Sequence, residues 1–322
     1  MGKFWTFFLL IFMGLLGGCG QVEAEISYRE EMATLITKIH AYATDKKADF
    51  GLLPNGGLAL YQEEDTSYSS RELMKKINGV LVESVFYRWN EEGFAATPAE
   101  DRNYFAESLV KPKESGLPVF CIDYTADKEA TNDATGLAEA AGYASLVMPR
   151  RELDTIPTTP IPQVNNRDIK NLQEAKNFLA LLNPGKFSGR EDYLTSLAKT
   201  DYDLLIVDLY YGDTPLTVAE VARLQRKGNG GRRQVYAYMS VGEAEDYRPY
   251  WQDSWVSSLP DWLAPPNEDW AGSYHVRYWR PEWQKILFGS PDAYLDKIIA
   301  AGFDGAFLDV VDGYDYFAEQ TL

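Results

Sequence analysis

Histidine and cysteine are nearly missing from this chain of 322 residues, which holds two of each: His40, His275, Cys19 and Cys121. A His-rich metal centre, a zinc finger and a disulfide framework therefore lack the ligands and partners they need. Basic runs are missing as well, and 31 Lys and Arg stand against 48 Asp and Glu, for a net charge of -17. Such a surface repels phosphate backbones and anionic headgroups, so nucleic acid is not an expected partner. No metal and no cofactor is expected, and proton transfer falls to carboxylates and tyrosines. What the chain has in quantity is apolar and aromatic: 45% hydrophobic and 14% aromatic residues, enough for a sizeable core and far from a disordered polyanion.

Lys3 precedes an apolar run at residues 4–16, too short for a membrane span of about 20 residues but suited to the hydrophobic region of a signal peptide. The run ends in Leu16-Gly17-Gly18-Cys19. Small residues before a cysteine resemble the bacterial lipoprotein cleavage site, in which Cys19 becomes the acylated N-terminus; an ordinary secretion signal with an incidental cysteine is the alternative. Residues 1–18 are thus expected to be removed. The remainder would be exported and held to a bacterial membrane by its lipid alone, on the periplasmic side or the cell surface. Cys121, inside Pro118-Val119-Phe120-Cys121-Ile122, is then left as a small buried hydrophobe.

From Ile26 onward, short β-branched and aromatic runs alternate with longer amphipathic stretches, the pattern of parallel βα units. Eight runs read as strands, at residues 50–54, 79–87, 118–124, 143–148, 177–182, 202–210, 234–241 and 303–311. Several are apolar on both faces, as in Leu204-Leu205-Ile206-Val207, which a sheet covered by helices requires. Helices are expected at 28–43, 99–108, 133–141, 193–198, 217–227 and 291–301, with Gly302 closing the last. Eight units in about 300 residues predict an α/β fold of the (β/α)8 TIM-barrel type, as a single domain over residues 19–322. Residues 154–162, DTIPTTPIP, carry three prolines and read as a linker. Residues 243–288 read as an insertion between the last two strands in chain order. It holds six of the eight tryptophans (Trp251, Trp255, Trp262, Trp270, Trp279 and Trp283) together with Tyr247, Tyr250, Tyr274 and Tyr278.

In such a barrel, polar residues at the C-terminal ends of the strands converge on the open face. Here the series runs Asn55, Glu83, Asp123, Arg150, Asn183, Asp208, Ser240 with Glu243, and Asp309 with Asp312. A single carboxylate at a strand end is often a helix cap. Carboxylates at five of eight ends supply something more, the split pKa values that an acid and a base require. Glycoside hydrolysis is the leading example of such chemistry. An aromatic-rich insertion beside an acidic mouth points to carbohydrate, because the flat C–H faces of sugars stack on rings. Two or three of the rings are expected to touch ligand, and the rest to pack as the insertion's own core.

Two stretches carry a family resemblance. Tyr236-Ala-Tyr-Met-Ser-Val-Gly-Glu-Ala-Glu-Asp-Tyr-Arg248 with Pro249-Tyr250-Trp251, and Gly302-Phe-Asp-Gly-Ala-Phe-Leu-Asp-Val-Val-Asp-Gly-Tyr314, resemble the glycoside hydrolase family 114 superfamily. Its characterised members look like endo-α-1,4-polygalactosaminidases acting on galactosamine-rich exopolysaccharide, and the resemblance implies a (β/α)8 barrel. In that family the Asp-Val-Val-Asp-Gly-Tyr-like strand is the fourth and four more units follow, whereas here eight residues follow Tyr314. The N-terminal part, with Tyr28-Arg29-Glu30-Glu31-Met32, Leu53-Pro54-Asn55-Gly56 and Asn78-Gly79-Val80-Leu81-Val82-Glu83, looks like those missing units. The chain therefore reads as a circular permutant. Residues 26–153 would correspond to the usual second half, 154–175 would link the usual ends, and 176–322 would correspond to the first half. A closed barrel tolerates this because its ordinary termini lie close together. A truncated barrel behind an unrelated N-terminal domain is the alternative.

Carried over residue by residue, the resemblance makes Asp309 and Glu83 the catalytic pair, with Asp309 as nucleophile and Glu83 as acid/base. Structural alternatives stand beside it: Glu83 pairing with Arg88 or Arg150, and Asp309 capping the following turn. Asp208, Tyr210, Tyr238, Ser240, Glu243, Asn55, Asp123, Arg150, Trp279, Asp312 and Tyr314 are expected at the mouth, holding sugar hydroxyls or amines. An acidic mouth suits a cationic, deacetylated amino sugar. The expected protein is a monomeric, extracytoplasmic, endo-acting glycosidase of an amino-sugar polysaccharide. The rival reading is a noncatalytic carbohydrate-binding lipoprotein on the same scaffold. A metal-dependent deacetylase or a Schiff-base aldolase is weaker, since no histidine and no lysine ends a strand.

Overall fold

The computed structural model describes residues 26–62, 68–90 and 93–320, so the apolar run at 4–16 and Cys19 lie outside the described residues. Eight parallel strands carry the fold: β1 (Gly51–Pro54), β2 (Val80–Glu83), β3 (Val119–Tyr124), β4 (Ala144–Met148), β5 (Phe178–Leu181), β6 (Leu204–Val207), β7 (Gln234–Ser240) and β8 (Gly305–Asp309). Each falls inside one of the eight expected runs. β1, β3, β5, β6 and β7 are buried at every residue, the burial that two covered faces produce.

Three strands are shorter than their runs by four or more residues, and each gives way to a visible local feature. β2 ends at Glu83 because Ser84 takes φ 62, after which Tyr87–Asn90 pairs with Gly93–Ala96 as an antiparallel hairpin. β8 ends at Asp309 because Val310 takes φ 58. β6 gives way to a two-residue pairing of Tyr210–Tyr211 with Thr214–Pro215. The helices Ser70–Met74, Val110–Glu114, Pro281–Leu287 and Tyr314–Glu319 were not expected; segments this short show too little of the helical period to be recognised.

Five strands are hydrogen-bonded in the order β1-β8-β7-β6-β5 and three in the order β2-β3-β4, all in parallel. The two sheets meet where Asn55 bridges Leu81 in parallel and the Gly56 N–H donates to the Leu81 carbonyl at 2.8 Å. On the other side β4 and β5 approach each other, with no ladder between them among the described residues. Phe120 of β3 and Phe178 of β5, both fully buried, meet edge to face at 5.3 Å and tie the sheets together from within. Tyr236 of β7 needs two glycines to fit. A Cβ on Gly51 would lie 1.8 Å from its hydroxyl oxygen, and one on Gly305 would lie 2.5 Å from its ring.

Helices cover the outside. Tyr28–Lys46 presents Met32, Leu35, Ile36, Ile39 and Ala43 to the core at helical spacing, and Val218–Leu224 starts in a capping box of Thr217 and Glu220. No regular element lies between β4 and the short turn Leu172–Glu174. The longer linking segment 154–175 is nevertheless tied down, because Ile169 is buried and Asn165 donates to Asp203 at 3.0 Å. Asp203 is in turn paired with the fully buried Lys227 at 2.8 Å. The segment after β7 folds into an antiparallel sheet of Glu243–Glu245, Ser273–Val276 and Leu263–Pro266. Trp262 and Trp283 stack at 5.4 Å beneath it.

Candidate active site

The strands end in a cavity of about 670 Å³. Four strand ends assemble its centre. Asn55, one residue past β1, divides its side-chain amide between two carboxylates: Nδ2 donates to Glu83 Oε1 at 2.8 Å and to Asp309 Oδ1 at 2.9 Å. Glu83 receives a second donor on its other oxygen, the hydroxyl of Tyr124 from the end of β3. The two structural alternatives for Glu83 are not realised, since Arg88 pairs with Asp101 and Arg150 with Glu152 and Asp154.

Both carboxylates are followed at once by a residue in the left-handed region, Ser84 and Val310. For a β-branched valine this is a strained conformation, and strain of this kind persists where the surrounding structure enforces it. Gly242 makes room for it, because a Cβ there would lie 2.2 Å from the Val310 carbonyl oxygen.

Burial raises the Asp309 carboxyl from 3.8 to about 7 against the amide of Asn55, with the charges of Glu83 and Asp312 adding to the rise. Asp312 is raised to about 6, again chiefly by burial. The cavity therefore holds one carboxyl, Asp309, that burial brings to about 7, beside Glu83, which accepts two donors, and such a pair can serve acid–base catalysis.

One wall is a buried ionic knot. Arg248 reaches Asp208 Oδ2 and Glu245 Oε2, each at 2.7 Å, and lies over the rings of Tyr238, Tyr247 and Tyr294. Tyr238 and Tyr247 also donate to Glu245 Oε1. Asp208 is raised by burial in spite of Arg248. Beyond the knot, Glu243 accepts from Asn267 at 2.7 Å and faces His275 Nδ1 at 3.3 Å. Burial raises Glu243 and lowers His275, so desolvation disfavours the charged form of each group and weakens this contact as an ion pair.

Of the residues expected at the mouth, Asp309, Glu83, Asn55, Asp208, Tyr238, Glu243, Asp312 and Tyr314 line the cavity. Asp123, Tyr210, Ser240, Arg150 and Trp279 do not. Asp123 is fully buried and accepts the backbone N–H groups of Phe86 and Tyr87 at 2.7 and 2.9 Å, holding the hairpin after β2. Tyr210 packs against Tyr294, and Ser240 Oγ accepts the Glu243 N–H at 3.2 Å. Trp279 packs on Tyr28, Tyr278 and Phe317. Of the six tryptophans in the segment after β7, Trp270 alone lines the cavity.

Tyr247, one of the rings named in the segment after β7, lines it too, and Tyr124, Arg151, Glu245, Arg248 and His275 line it without having been singled out as mouth residues. Tyr124 and Arg151 each sit one residue past a position that was, Asp123 and Arg150. Alternation of side chains explains the Tyr124 case: Phe120 faces the interior, so Tyr124 does too and Asp123 faces away. That parity was readable from the apolar neighbours. Arg248 lies within one of the two family-like stretches, but its ion pair with Asp208 connects residues 40 positions apart and leaves no local signal.

A parallel α/β scaffold with paired carboxyls at its strand ends has the parts of a two-carboxylate hydrolase. Residues 173–321 match the model of glycoside-hydrolase family GH114, so this stretch of the chain is similar to that family. An uncharacterized protein of Methanocaldococcus jannaschii, MJ1477, is 35% identical over 169 residues, covering 49% of this chain and 46% of that one. Uncharacterized proteins of Thermotoga maritima and Deinococcus radiodurans are 44% identical over 86 residues and 41% over 122. The first of these matches covers 27% of this chain and 25% of the relative, the second 38% and 37%. The chain thus spans less than half the length of the curated relatives it matches. A solved structure, that of the U32 peptidase Mk0906, covers 81% of this chain and 92% of its own, at 10% identity and a TM-score of 0.31. That likeness is too distant to carry an argument.

Proposed function

We propose that the protein is an endo-acting glycoside hydrolase of an α-1,4-linked, galactosamine-containing polysaccharide, working through Asp309 and Glu83. The observation that carries the reading is the single amide of Asn55 shared by the two carboxylates. Bonds of 2.8 and 2.9 Å from one nitrogen allow the two accepting oxygens at most 5.7 Å of separation. Retaining glycosidases hold their carboxyls about 5 to 5.5 Å apart and inverting ones about 6.5 to 9.5 Å, so the spacing supports retention. In that reaction one carboxylate attacks the anomeric carbon while the other carboxyl protonates the departing glycosidic oxygen. Water, deprotonated by the second group, then cleaves the glycosyl ester.

Burial raises Asp309 to about 7, which suits a proton donor near neutral pH, and Glu83 accepts donors on both oxygens. This favours Asp309 as acid and Glu83 as attacking group, the reverse of the order that the resemblance suggested. Azide separates the two orders. Added to the nucleophile variant it yields a glycosyl azide of inverted configuration, and added to the acid variant one of retained configuration.

The strand order supports a closed (β/α)8 barrel over residues 19–322 as part of the same proposal. The family match starting at residue 173, just before β5, supports the permuted order of its halves. Export with lipid attached at Cys19, and a monomeric state, complete the reading. The test is reducing-end release from the deacetylated polysaccharide by the folded protein beside Asp309→Asn and Glu83→Gln. Release by the parent and its collapse in both variants support the enzyme; binding of the polymer with no release would make the protein a carbohydrate-binding lipoprotein.

A further inference from the structure

Arg151 follows β4, Trp89 lies in the hairpin after β2, and Trp270 belongs to the segment after β7. These three distant parts of the chain meet at the rim of the cavity. The Arg151 guanidinium carbon lies 4.6 Å from the centre of the Trp89 ring and 4.4 Å from that of Trp270. Arg151 and Trp270 line the cavity. The indoles are 42% and 48% exposed, whereas Trp262 and Trp283 of the same segment as Trp270 are buried. Among the described residues no carboxylate lies within ion-pair distance of Arg151, although carboxyls dominate the cavity that it lines.

A guanidinium between two indoles is held in plane by cation–π attraction, and its N–H edge stays free to donate. Each indole has one face against the cation, and its remaining exposed surface is of the kind on which the flat C–H face of a sugar stacks. The charge sets which sugar fits. A free ammonium is repelled by Arg151, while hydroxyls and an N-acyl carbonyl accept its hydrogens. The carboxyls Glu83, Asp309, Asp312 and Glu243 provide the opposite environment. We propose that Trp89, Arg151 and Trp270 form a rim subsite for an uncharged pyranose ring, so that the cleft reads a polymer in which amine-bearing and uncharged units both occur.

The inference rests on the glycosidase reading, and binding separates the two. Oligosaccharides of one length that differ only in N-acetylation are titrated calorimetrically into the Glu83→Gln protein, alone and with Arg151→Glu, Arg151→Lys or Trp270→Ala added. Circular dichroism and the melting temperature verify folding. Reversing the charge should move the ratio of affinities, acetylated over free amine, by roughly tenfold or more toward the amine. Arg151→Lys should keep that ratio, and Trp270→Ala should weaken all the ligands by roughly tenfold. An unchanged ratio in folded Arg151→Glu, or unweakened binding in Trp270→Ala, overturns the subsite and leaves the glycosidase reading intact. Failure of Glu83→Gln to bind any of the oligosaccharides overturns the glycosidase reading and the subsite with it.

Discussion

Replacing Asp309 by Asn should make the protein more stable, and by an amount that depends on pH. The carboxyl is buried beside Glu83 and Asp312, and its value moves from 3.8 to about 7 on folding. Between these values the folded protein holds a proton that the unfolded chain has released, so wild-type stability falls as pH rises through this window. Each pH unit costs ~1.4 kcal/mol for one such group. Across the window this reaches a few kcal/mol, on the order of 2 to 4, because part of the carboxyl still faces the open cavity. Asn keeps the shape and an oxygen for the Asn55 amide, and it carries no charge at any pH. The gap between variant and wild type should therefore be under ~1 kcal/mol at pH 4.5 and level off above about pH 7.5. Urea denaturation at four pH values between 4.5 and 8 measures it, and the carboxyls remote from Asp309, common to both proteins, cancel in the difference. A gap that does not change with pH, or an Asn variant less stable at pH 8 than at pH 4.5 relative to wild type, would refute the burial argument.

The same proton bears on rate: kcat/KM on the polysaccharide should decline as pH rises past about 7, the value at which Asp309 loses it, and a profile flat to pH 9 would remove Asp309 from the acid role. Tyr124→Phe deletes a hydrogen-bond donor that holds Glu83 in place, and it should lower kcat/KM on the polysaccharide by roughly tenfold while the melting temperature changes little. Arg248→Met leaves Asp208 and Glu245 buried without their cation and should cost about 3–5 kcal/mol, measured by denaturant unfolding; adding Asp208→Asn and Glu245→Gln should recover part of it. Gly51→Ala drives a methyl onto the Tyr236 hydroxyl and should cost about 1–3 kcal/mol, with partial relief in a Tyr236→Phe background as the check.

The alternation of strands and helices was legible because a strand covered on both faces must be apolar throughout. Leu204–Val207 and Phe178–Leu181 announce themselves this way. Strand ends were less legible. Glu83 and Asp309 stand at theirs because the next residue turns left-handed, and neither serine nor valine advertises that conformation. Short helices such as Pro281–Leu287 escaped because two turns carry little periodicity.

The sequence by itself determined the parallel α/β character, the abundance of carboxyls at the strand ends, and the strand ends from which the central residues come. These follow from composition and local period, which each segment carries alone. Only the tertiary structure decided that Asn55 bridges Glu83 and Asp309, that Arg248 neutralises a wall of the mouth, and that Arg151 stands between two tryptophans. Each of these joins residues from separate βα units. Their distances, burial and proton affinities exist only once those units pack together, and no local stretch of chain encodes them.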